Sequence, residues 1–240
     1  MQLSKNEFKQ IYKLKQKKFR KLEKLVIVEG IRLIEQVIAN GLIPEKILFL
    51  RNSKNPFSKF PSAEITLEQL RKLSFTQNPQ NVLAIVPTKT EKIKNRRLLL
   101  YLDGVSEPGN LGTIFRTAAA AKIDGIILSN SCCEIWNDKV IRSSLGTIFS
   151  LPSEIRSADW LKNQNAHIVA SSLQDANNLY QSKLSEKNQI IVIGSEAFGI
   201  SDEVRKICDE FIKIPMSNRV ESLNAAIAAG IIIFHYSQQV

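Results

Sequence analysis

From residue 98 onward, short apolar runs alternate with segments of helical pattern, and this alternation constrains the fold more than any other feature of the chain. The runs are LLLYLD (98–103), GIILS (125–129), HIVASS (167–172), IIVIGS (190–195) and FIKIP (211–215). Helical stretches fall over 110–122, after Asn137, over 201–208 and over 222–237. A strand that is apolar along its whole length is buried on both faces. The pattern therefore predicts an α/β fold, a mostly parallel sheet with helices on both faces. Ligands in such sheets lie beyond the carboxyl ends of the strands, so the loop after each apolar run is where a site is expected.

The first part of the chain reads as a smaller α/β unit. SKNEFKQIYKLKQKKFRKLEKL (4–25) opens with Ser4 and Glu7 at capping-box spacing and predicts one basic amphipathic helix, with Phe8, Ile11, Tyr12, Phe19 and Leu22 near one face. LVIV (25–28), KILFL (46–50) and NVLAIVP (81–87) read as strands, GIRLIEQVIAN as a helix ended by Gly41, and Thr66 with Gln69 as a second capping box. TKTEKIKNRR (88–97) is polar, basic and aperiodic. We therefore divide the chain into a domain over 1–90, a linker over 91–97 and a domain over 98–240.

Charge follows the same division. Residues 1–97 hold 21 Lys and Arg against 8 Asp and Glu, a balance of +13, whereas residues 98–240 hold 12 against 15, a balance of −3. An excess confined to one domain is the footprint of a polyanion-binding module beside a near-neutral functional domain. A merely solvated basic surface is the plainer alternative.

Other features exclude function classes. No apolar run reaches the roughly 20 residues that span a bilayer, and MQLSKNEFKQ lacks the apolar stretch of a secretion signal, so a cytoplasmic protein without a membrane partner is expected. Cys132, Cys133 and Cys208 form no C-x-x-C pair, and His167 and His235 lie in apolar surroundings, so no metal site is expected. Neither G-x-G-x-x-G nor G-x-x-x-x-G-K-[ST] occurs, which disfavours a nicotinamide or flavin oxidoreductase.

Three strand ends carry polar groups suited to chemistry. After LLLYLD comes GVSEPGNLGTIFRTAAAA, with Asn110 as the expected N-cap and Arg116 under two turns into the helix. After IIVIG comes SEAFGI, a loop with glycines at 194 and 199, Glu196 between them, and Ser201 and Asp202 placed to cap the next helix. After FIKIP comes MSNRVESLNAAIAAGIIIF, where Ser222 is the expected cap and Asn224 sits in the first turn of a helix apolar on all sides. Such a helix packs inside the domain or against a second subunit.

Taken together and in this order, NLGTIFRTAAA (110–120), IIVIGSEAFGIS (190–201) and IPMSNRVESLNAAIAAG (214–230) resemble the three motifs of the SpoU family of RNA 2′-O-ribose methyltransferases, in the SPOUT superfamily. Residues 1 to about 90, with KLVIVEGIRLIEQVI, resemble the family's N-terminal RNA-binding domain, which is similar to ribosomal protein L30e. The resemblance implies a deep C-terminal trefoil knot, S-adenosylmethionine as cofactor, a homodimer formed through the C-terminal domain, and structured RNA, ribosomal above all, as partner. It makes Asn110, Arg116, Glu196, Ser222 and Asn224 catalytic candidates, and Ser171, Gly194, Ile214, Met216 and Leu223 cofactor-binding candidates. The chain departs from the motifs at Ala197 and Asn218, where the family has glycine; a positive φ at Ala197 would strain the loop. A transfer-RNA methyltransferase and a non-catalytic RNA-binding protein on the same fold are the alternative readings.

Overall fold

The computed structural model describes residues 2–240. Ser4 and Glu7 form the expected capping box at the start of α1 (Lys5–Lys13). The chain then breaks at Leu14, whose side chain turns into the core, and resumes as α2 (Lys17–Glu23), so the single helix expected here is two. Arg20 is the buried residue of α2, while Leu22 is exposed. Hydrogen bonding reverses the order that hydropathy predicts, because the Arg20 guanidinium has acceptors waiting for it.

Lys24, at φ 54°, turns the chain out of α2 into β1 (Leu25–Glu29). Next along the chain are α3 (Ile31–Ala39), β2 (Lys46–Leu50), β3 (Ser62–Ile65), α4 (Leu67–Leu73), capped by Thr66 and Gln69, and β4 (Val82–Pro87). Their sheet has the order β1-β4-β2-β3, antiparallel except for β2 beside β3. The edge strand β3, SAEI, was not expected; only Ala63 and Ile65 face the core. Residues 88–97 connect the two sheets without helix or strand, but Ile93 is buried against Gly125 and pins the stretch to the second domain.

The second domain begins with β5 (Leu98–Asp103), α5 (Pro108–Ala120), β6 (Gly125–Leu128), α6 (Asp138–Ser143), β7 (Ser153–Ile155), α7 (Ala158–Lys162) and β8 (Ala166–Ser171). It ends with β9 (Asn177–Asn178), β10 (Asn188–Gly194), α8 (Asp202–Arg205), β11 (Glu210–Lys213) and α9 (Ala225–Ser237). The seven strands have the order β7-β6-β5-β10-β8-β11-β9 and every pairing is parallel, as the alternation predicts. Alternate residues of β5 and β10 serve opposite faces: Leu100, Leu102, Ile191 and Ile193 join Ile114 and Phe115 of α5 and Ile233 of α9, while Leu99, Tyr101, Ile190 and Val192 join Leu161 of α7 and Val204 of α8. Each such fully buried aliphatic side chain stabilises the fold by roughly 1.5–3 kcal/mol.

Two helix starts differ from expectation. Glu107 caps α5 by accepting from the Gly109 amide, and Pro108 takes the first helical position, where its missing N–H costs nothing; Asn110 is thereby inside the helix, free to use its side chain elsewhere. Asn224, not Ser222, caps α9, its Oδ1 accepting from Ala226 N and Ile227 N at 2.9 and 3.2 Å. Asn137 and Ser201 cap α6 and α8 as expected, although α8 is shorter than the stretch read for it.

The domains share one apolar cluster, in which Val26, Ile34 and Val37 continue into Leu98 and Ile114. A bidentate ion pair adds to it: Arg20 Nε and Nη2 reach Glu134 Oε1 and Oε2 at 3.0 and 2.5 Å, while Nη1 donates to the carbonyls of Leu14 and Lys15. No helix is long and apolar enough to cross a membrane among the described residues.

Candidate active site

Three strand ends and the start of α9 meet beyond the carboxyl edge of the parallel sheet and surround a cavity of about 600 Å³. Ser171, at the end of β8, and Gly194, at the end of β10, form part of its wall; Ile214 and Met216 after β11, and Leu223 before α9, complete it. All five residues expected to contact a cofactor therefore line one space.

Two glycines shape its floor. A methyl group on Gly194 would lie 2.3 Å from the carbonyl carbon of Gly199, so only glycine lets the 195–199 loop fold back on its own strand. Paired backbone hydrogen bonds, Ser195 N to Gly199 O at 2.8 Å and Gly199 N to Ser195 O at 3.0 Å, close that loop. The left-handed residue is Gly199, at φ 66°; neither Ala197 nor Asn218 has positive φ, so both departures from the family motifs are free of backbone strain.

On the rim runs a chain of polar groups. Asn110 Nδ2 donates to Glu196 Oε1 at 2.8 Å, and Asn224 Nδ2 donates to Asn110 Oδ1 at 2.9 Å. Both amide orientations are forced, because a carboxylate only accepts and the Asn224 oxygen is already engaged by the backbone of α9. Burial pushes the Glu196 pKa up, but the hydrogen bonds from Asn110 and from backbone amides, including those of Ser106 and Glu107, outweigh it, so the net shift is downward. Glu196 is thus a held anion.

The structure brings Glu196, Asn110 and Asn224 into this chain and puts Ser222 on the cavity wall with Glu196 and Asn224. Arg116 stands apart: it is exposed on α5, and no hydrogen bond or ion pair ties it to the others among the described residues. Sequence reasoning missed two supports. Ser106 donates to Glu196 from its amide at 3.3 Å, and the buried Asp103 accepts from Ser201 N at 2.8 Å, tying the end of β5 to the start of α8. An acid closing an otherwise apolar run was the available signal for Asp103.

Burial raises the Cys132 pKa and pushes Cys133 and Cys208 up to about 12, so these thiols stay protonated and inert near neutral pH. His167 Nε2 lies 3.2 Å from Glu210, and His235 Nε2 lies 2.9 Å from the Ser182 carbonyl. No cluster of three or more metal-ligating side chains occurs among the described residues.

A parallel sheet whose strand ends open on a cavity of this size, walled by aliphatic side chains and rimmed by fixed polar groups, is the architecture of an enzyme that binds a nucleotide-like cofactor. The model of the SpoU rRNA Methylase family matches residues 97–234, and that of the MRM3-like substrate binding domain matches residues 5–84. The chain belongs to the SpoU rRNA methylase family. It is 28% identical over 93% of its length to the 23S rRNA (guanosine(2553)-2′-O)-methyltransferase RlmP of Bacillus subtilis, covering 92% of that protein. It is 31% identical over 96% of its length to an uncharacterized tRNA/rRNA methyltransferase of Synechocystis, covering 90% of that protein. Among solved structures, the AdoMet-bound rRNA methyltransferase of Sinorhizobium meliloti superposes with a TM-score of 0.86 over 98% of this chain and 95% of the other, at 25% identity.

Proposed function

We propose that this protein methylates a ribose 2′-hydroxyl of structured RNA, 23S ribosomal RNA in particular, with S-adenosylmethionine as methyl donor. The observation that carries the reading is the Glu196–Asn110–Asn224 chain on the rim of the strand-end cavity. The residues fit the cofactor: Ile214, Met216 and Leu223 offer aliphatic surface to an adenosine, Ser171 a polar edge, and Glu196 a negative charge near a sulfonium. When bound, S-adenosylmethionine supplies an electrophilic methyl group.

The chain's own residues must orient the ribose oxygen so that, as the O–C bond forms and the S–C bond breaks, its proton can pass to the RNA phosphate that Arg116 holds. Glu196 keeps its charge and locks Asn110, which with Asn224 presents a fixed amide edge to the substrate. Ser222, exposed on the cavity wall before α9, offers its hydroxyl to the substrate. Arg116, exposed and unengaged, takes a phosphate of the incoming RNA and brings the hydroxyl into line. The +13 balance of residues 1–97 supports capture of a large folded RNA by the N-terminal domain, and the match to RlmP along both domains favours ribosomal over transfer RNA.

The same reading includes a homodimer and a knot. Ile227, 55% exposed, and Phe234 lie on α9 with apolar side chains facing outward, as a helix covered by a second subunit requires. Threading of the chain through the loops after β10 and β11 would form the cavity, and the protein acts in the cytoplasm. The test is incubation with radiolabelled S-adenosylmethionine and total RNA from cells lacking the gene. Label should appear in alkali-resistant dinucleotides, since a methylated 2′-oxygen cannot cleave its neighbouring phosphodiester; alkali-sensitive label would mean base methylation and refute the reading.

A further inference from the structure

Phe198 is 92% exposed, the most exposed large apolar residue of the described chain, beyond Ile43 at 71% and the terminal Val240 at 72%. It does not ride on a loose segment. Its amide donates to Ser195 Oγ at 3.0 Å, the turn is closed by the two Ser195–Gly199 backbone bonds, and the turn is seated against Gly194. The ring stands two residues from Glu196 and lines the mouth of the cavity. A single exposed aromatic is ordinary on a protein surface; this one is set apart by its place, on a closed turn that lines the cavity, where it meets whatever enters.

We propose that Phe198 is the stacking platform for the base of the nucleotide being methylated, a claim that rests on the methyltransferase reading of this site. A ribose whose 2′-oxygen reaches the cavity mouth carries its base within a few ångströms of that point, and the turn bearing Glu196 presents an aromatic face there. The domain around the site has a balance of −3, so it is ill suited to hold the nucleotide by phosphate contacts alone. Base stacking supplies the missing grip and tolerates any base, because every base has a π-face. A preset turn also means that little ordering entropy opposes binding.

The experiment compares the full-length protein with Phe198→Ala, Phe198→Leu and Phe198→Trp. Single-turnover transfer to total RNA from cells lacking the gene is measured beside cofactor calorimetry, sedimentation, and ultraviolet crosslinking to the same RNA with mass spectrometry of the adducts. The Ala and Leu variants should lose roughly 5- to 100-fold in the single-turnover rate at subsaturating RNA. Trp should restore most of that loss, cofactor affinity and sedimentation should not change, and the peptide bearing Phe198 should carry a nucleotide adduct. Full activity in the Leu variant, or a changed oligomeric state in the Ala variant, would show that the ring packs against protein and would overturn the proposal. If the parent protein transfers no methyl to RNA, the functional reading fails and the claim falls with it; an active parent whose Phe198 peptide carries no adduct ends the stacking claim alone.

Discussion

The two sheets solve different problems with similar material. The N-terminal sheet is mixed, its strands β1, β4 and β2 are antiparallel neighbours, and its domain carries the whole charge excess of the chain. The C-terminal sheet is parallel throughout, nearly neutral, and ends in a cavity of about 600 Å³. The difference lies in where the chain can place polar loops: parallel strands collect every loop of one type at one edge, while antiparallel strands scatter them over both. One domain therefore concentrates chemistry, and the other spreads charge.

The contact between the domains gives the largest expected effect. Arg20→Met leaves Glu134 in a mostly buried position without its partner, and unfolding free energy should fall by about 3–5 kcal/mol, read by urea denaturation. Replacing both residues by apolar ones should be much milder, which separates loss of the pair from loss of packing. Equal losses in the single and double variants would show that the pair does not join the domains.

Within the catalytic domain, Asn110→Ala removes the link between Glu196 and Asn224. Single-turnover transfer should drop by roughly 100-fold, with cofactor affinity nearly unchanged, since positioning rather than binding is lost. Gly194→Ala sharpens the opposite half of the site: the new methyl group meets the Gly199 backbone, so cofactor affinity should collapse in calorimetry while stability falls by about 1–3 kcal/mol.

The smallest effect expected is a pH response that is nearly absent. The Glu196 pKa is depressed in the folded protein, so its stabilising interaction is fully present above the ordinary carboxylate value and is lost only as pH falls through the lowered one. Cofactor binding should then stay level from pH 8 to about pH 5, just above the usual glutamate pKa near 4.3, as followed by calorimetry across that range. A midpoint near neutrality would assign the titration to a different group.

Legibility in the sequence also divides between the regions. β5 and β10 were readable because unbroken apolar runs admit little but a doubly covered strand. β3, β7 and β9 were not, because SAEI, SEI and NN are too short or polar to signal strand; pairing along the sheet makes them. The helix starts at α5 and α9 were displaced by two or three residues, since Glu107 and Asn224 won the cap over the residues that pattern alone nominated. In the site, the motifs named Asn110, Glu196 and Asn224, yet no local rule predicts that side chains 86 and 114 residues apart share hydrogen bonds. Buried Arg20 was hidden by the opposite error, a charged residue read as part of a solvated face.

The division of labour is tested most directly by neutralising Lys17, Lys18 and Lys21, all exposed on α2, to Gln and mapping methylated riboses in RNA from cells expressing each protein. The parent should modify one ribose of the large ribosomal RNA. The triple variant should keep its cofactor affinity, lose modification, and bind RNA with a salt slope reduced by up to about 0.7–0.9 per phosphate contact removed. Unchanged modification with an unchanged salt slope would contradict that division.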